Sequence, residues 1–102
     1  MATMHYTNRQ EWELVPSYIP TSQENIFTGD TAIIEIHLIN VGSEAATVTI
    51  NDRQNTPMAV IPSVTIGPNQ DCVWEFSGRF SPGGLTWSSS SANTLVGYVR
   101  GR

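Results

Sequence analysis

From Thr31 onward, apolar and polar residues alternate in short runs. Over residues 31–41, Ala32, Ile34, Ile36 and Leu38 share one side, and Ile33, Glu35, His37, Ile39 and Val41 the other. A period of two with many β-branched residues is that of a half-buried strand, so the first set is expected to face inward. Gly42-Ser43-Glu44 turns the chain, after which Ala46, Val48 and Ile50 alternate with Thr47, Thr49 and Asn51. Residues 51–55 form a loop by composition. Pro57 and Pro62 bracket residues 58–61, predicting at best a short edge strand there, with another short run over 63–66. Cys72, Trp74 and Phe76 alternate with Val73, Glu75 and Ser77, which places two large aromatics in the core. After the Pro82-Gly83-Gly84 turn, Leu85 and Trp87 alternate with Thr86 and Ser88. The last run sets Leu95, Gly97 and Val99 against Val96, Tyr98 and Arg100. No apolar run has helical spacing.

These signals predict an all-β chain: an antiparallel β-sandwich, immunoglobulin-like or jelly-roll-like, of seven to eight short strands. The boundary falls near residue 30, with the sandwich over 30–102 and a different segment over 1–29. In that segment Trp12, Leu14, Val15, Tyr18 and Ile19 are apolar, but Pro16 and Pro20 prevent a continuous helix. Two readings stand. Residues 11–15 form an edge strand followed by a loop, or the segment is an extended arm whose aromatics dock on a neighbouring subunit.

Composition narrows the field of functions. The 102 residues carry a formal charge of −4, with 10 Ser, 11 Thr and 7 Asn but no Lys. A general nucleic-acid or anionic-membrane binder needs a basic patch, so neither partner is expected. A single cysteine, Cys72, excludes an internal disulfide. No signal peptide is visible in MATMHYTNRQ, and the apolar stretch 32–39 is broken by Glu35 and His37. The expectation is a protein made in a cytoplasm.

Catalytic and metal chemistry find little support. His5 lies near the N-terminus; His37 shares a strand face with Glu35, about 7 Å away, which is half a metal site at most. Cys72 lies in line with Trp74 and Phe76 and reads as a small hydrophobe without a base. Ser88–Ser91 lacks the strand-turn-helix context of a nucleophile elbow. No enzyme, cofactor or metal is expected. More informative are Ile33, Ile39, Val41, Val96 and Tyr98, whose outward phase is more apolar than a solvated face needs. Either the N-terminal segment covers them, or a subunit interface does.

The runs Trp74–Phe80, Pro82–Ser90 and Asn93–Gly101, with Ile34–Gly42 and Ala46–Ile50 before them, resemble small β-sandwich structural proteins of tailed bacteriophages. The likeness covers roughly residues 30–101. It implies a virion location and a capsid decoration (cement) subunit that self-associates, most simply as a trimer, and docks on the major capsid protein. A small head–tail or tail accessory protein is an alternative within the same class. Outside it stands a carbohydrate-binding or adhesive module, for which Trp12 alone is left free as a sugar-stacking platform. The candidate interface residues are Trp12, Leu14, Tyr18, Ile19, Ile33, Ile39, Val41, Val96 and Tyr98.

Overall fold

A computed structural model describes the backbone of residues 4–6 and the whole of residues 11–102. The strands are β1 (Met4–Tyr6), β2 (Trp12–Leu14), β3 (Ser17–Tyr18), β4 (Glu24–Thr28), β5 (Thr31–Asn40), β6 (Ala46–Asp52), β7 (Ala59–Ile66), β8 (Asp71–Ser81), β9 (Gly84–Ser89) and β10 (Leu95–Gly101). The large sheet runs β1-β2-β10-β5-β8, with β3 also on β10; the small sheet runs β4-β9-β6-β7. All pairs are antiparallel, and no described residue is helical. The pairing is nested around the β6–β7 hairpin: β5 pairs β8, β4 pairs β9, and β2 and β3 pair β10. Bonds from β10 to β5 and from β9 to β6 complete the sheets.

Both sheets turn their apolar phase to a common core. Ile36, Leu38, Leu95 and Val99 come from the large sheet; Val48, Ile50, Ile66, Leu85 and Trp87 come from the small one. The inward face of β10 is Leu95, Gly97, Val99 and Gly101. The two glycines make room for tryptophans, because a methyl group on Gly97 would run into the Trp87 ring and one on Gly101 would come within 2.6 Å of Trp12 Cζ2.

The N-terminal segment belongs to this core. Trp12, Leu14 and Ile19 are 1%, 0% and 0% exposed, so they are not an arm reaching for a neighbour. Trp12 stacks on Phe27 at 4.8 Å between ring centroids, and its indole N–H donates to Thr31 Oγ1 at 2.9 Å. Ile19 N–H bonds the Leu95 carbonyl and Ser89 N–H bonds the Pro20 carbonyl, which carries the chain from one sheet to the other.

Ile33 is fully buried rather than outward. The cause is a β-bulge. Arg100 pairs Glu35 while Gly101 pairs Ile33, so Ile34 is an extra residue and the inward phase shifts from Ile33 to Ile36. On the other side, residues 75 and 79 of β8 pair Glu35 and Ile33, with Gly78 at φ 86° in the excess loop of strand. Trp74 and Phe76 do face inward, yet on edge strand β8 they are only partly buried. Pro62 lies within β7 rather than ending it. As β7 is the edge of the small sheet, a missing N–H is tolerated, and the register shifts between Val48 and Ile50 take up the irregularity.

Candidate functional site

The outer face of the large sheet collects the remaining candidates in three cross-strand rows. Tyr18, Val96, Ile39 and Asp71 are register partners in the first; Tyr98, His37 and Val73 in the second; Glu13, Arg100, Glu35 and Glu75 in the third. Tyr18 is 51% exposed, Val73 46% and Ile39 36%. Val41, also exposed, continues the Ile39 phase one step beyond β5, its N–H held by the Thr94 carbonyl. Thus Tyr18, Ile39, Val41, Val96 and Tyr98 share one face, whereas Trp12, Leu14, Ile19 and Ile33 lie in the core. Val73 belongs to this face as well, and its alternation with the inward Trp74 is the sequence signal that identifies it.

Polar contacts fix the side chains of this face. The Tyr98 hydroxyl donates to Glu13 Oε2 at 2.8 Å. Burial, and then the Glu13 hydrogen bond and charge, push that hydroxyl up to about 12. Arg100 Nη2 sits 3.4 Å from Glu35 Oε1, and His37 Nε2 is 3.1 Å from Asp71 Oδ2. Between the rows lies a concavity of about 290 Å³, walled by Pro16, Ile39, Val96 and Tyr98 with Glu35 and His37 at its side.

The outer face of the small sheet differs. Thr47 and Thr65 hydroxyls meet at 2.9 Å, those of Thr49 and Ser63 at 3.0 Å, and Gln23 Nε2 donates to Thr86 Oγ1. Hydroxyl pairs of this kind satisfy one another and water.

Other candidates change position or gain a structural role. Trp12 is buried and offers no sugar-stacking platform. Cys72 is a partly buried free thiol packed against the core. Among the described residues, no group of three or more His, Cys, Asp or Glu is placed to hold a metal ion. The side chain of His5 lies outside the described residues. Ser89 and Ser91 hold the bend before β10, the Ser89 hydroxyl donating to the Ser91 carbonyl at 3.0 Å. No helix of the described residues is long and apolar enough to cross a membrane. In comparisons with known proteins, no family model matches the chain and no curated protein matches its sequence.

Proposed function

We propose that this chain is a non-enzymatic docking subunit of a virion, most simply a capsid decoration protein, and that the outer face of its large sheet is the docking surface. The single observation that carries the reading is that face: Tyr18, Ile39, Val41 and Val73 stand exposed around Val96 and Tyr98, while the opposite face of the sandwich is hydroxyl-lined. Scattered apolar residues on a surface need no explanation, but several in register mark a contact surface. The strand order supports the same reading. We take the nesting of β2/β3–β10, β4–β9 and β5–β8 around β6–β7 as a jelly roll rather than an immunoglobulin-like arrangement. Jelly rolls serve in viral capsids and also in lectins, so the strand order supports both by analogy of fold, and the apolar face favours the docking reading.

The experiment is sedimentation of the full chain alone, with undecorated phage capsids, and with phage tails. The chain is expected to co-sediment with one of the particles, and its oligomeric state is read in the same runs. A monodisperse monomer that ignores both particles, together with saturable binding on a glycan array, overturns the proposal in favour of a sugar-binding module.

A further inference from the structure

We infer that the outer face of the large sheet receives a cationic side chain, an arginine or lysine carried on an apolar segment of a partner protein, and that this side chain seats in the concavity between Tyr98 and Ile39. The inference rests on the docking reading above and names the chemistry of the partner. Three observations carry it.

The first is charge. Glu13, Glu35, Asp71 and Glu75 surround the apolar patch, and Arg100 is the one guanidinium among the described residues of these rows. The second is register. Glu35 and Glu75 are directly opposed across β5 and β8, a like-charge pairing that costs stability in an isolated sheet. Arg100 reaches Glu35 from the far side, at 3.4 Å, and among the described residues neither ion pair of this face includes Glu75. The third is shape. The concavity has an aromatic wall in Tyr98, fixed by its bond to Glu13, aliphatic walls in Val96, Ile39 and Pro16, and the Glu35 carboxylate beside it. A long cationic side chain uses all three: its stem covers apolar surface, and its head meets an aromatic face and a carboxylate.

The same arithmetic disfavours a second copy on this face. A two-fold contact would set the acidic rows against themselves. The chain has no lysine, and of the four arginines among residues 11–102, Arg53, Arg79 and Arg100 are engaged internally, with Asn25 and Gly83, with the Val60 carbonyl, and with Glu35, while the Arg102 guanidinium lies against Gly78.

The test is a titration of the isotope-labelled full chain with N-acetyl-arginine methylamide, followed by amide chemical shifts at low salt. The uncharged isostere N-acetyl-citrulline methylamide is run beside it. Saturable shifts confined to Ile39, Val96, Tyr98 and their neighbours are expected from the arginine probe alone. The double variant Glu35→Gln/Glu75→Gln, which keeps the size of both side chains, is expected to bind it about fivefold more weakly, with spectral change beyond the two sites confined to the Arg100 neighbourhood. Equal shifts from citrulline, shifts spread over the whole surface, or no shift in the wild type overturn the inference. Particle binding separates the two proposals. Co-sedimentation that the double variant and added salt leave unchanged overturns the cationic partner and keeps the docking surface. Failure of the wild type to bind any particle removes the virion assignment, while the arginine titration still decides the site.

Discussion

Gly97 and Gly101 show how single residues set this sandwich. Each lies where an indole crosses β10, and neither position has space for a methyl group. Gly97→Ala is therefore expected to destabilise the protein by about 1–3 kcal/mol through overpacking against Trp87, read as a lower urea midpoint with an unchanged slope. An unchanged midpoint contradicts the Trp87–Gly97 contact. At Tyr98 the expected readout is spectroscopic. With its hydroxyl held near 12, absorbance at alkaline pH is expected to show one tyrosine ionising well after an ordinary one with a value of 10.0. A raised folded value favours the neutral form, so stability is fully present below pH 10 and declines as pH rises from 10 toward 12. In Tyr98→Phe the late ionisation disappears; its persistence assigns it elsewhere. Residue facing was legible where the pairing is regular, as at Leu38, Leu95 and Val99. It was not legible at Ile33, because a bulge has no signature in alternation: Ile33 and Ile34 are equally apolar, and pairing with β10 decides which turns inward.

Among the elements, β2 and β8 exchange the weights that periodicity assigns them. β2 has three residues, yet Trp12 and Leu14 are buried at the core; β8 has eleven, yet Trp74 and Phe76 stay partly exposed at a sheet edge. Period tells which way a side chain points, not whether anything lies beyond it. The proline-punctuated segment 11–20 carries too short a pattern to show that its cover is its own chain. Trp12→Ala is accordingly expected to cost about 3–5 kcal/mol, and Trp74→Ala less, because part of its area is already in water. Equal or reversed losses in urea titrations contradict this assignment. The β6–β7 connection makes a separate point. Burial pushes the Asp52 carboxyl up, but the Met58 N–H and the Gln54 side chain and N–H donate to it and hold it below its ordinary 3.8. A lowered folded value means that this contribution is present above 3.8 and lost as pH falls through the folded value. Asp52→Asn is expected to lose stability at pH 7 and to flatten the acid limb below pH 4, as followed by thermal melts. An acid limb identical to the wild type's contradicts the role given to Asp52.

At the scale of the whole molecule, the two exteriors of the sandwich are chemically distinct, one apolar with an acidic rim and one lined with hydroxyls. Alternation revealed both faces in outline, and the nested strand order brings Tyr18 of β3 beside Val96 and Ile39 to make one of them continuous. The first segment is part of the scaffold of this surface, so a chain lacking residues 1–25 loses Trp12, Leu14 and Ile19 from the core and is no test of docking. The central claim, that the apolar face is the working surface, is tested most directly by comparing Tyr18→Ser/Val96→Thr with Thr49→Asn/Thr65→Asn in co-sedimentation with the capsid or tail that the wild type binds. Each pair changes one exterior and leaves the core intact, which matching thermal melts verify. Loss of co-sedimentation in the first pair and retention in the second is the predicted result; retention in the first with loss in the second contradicts the account.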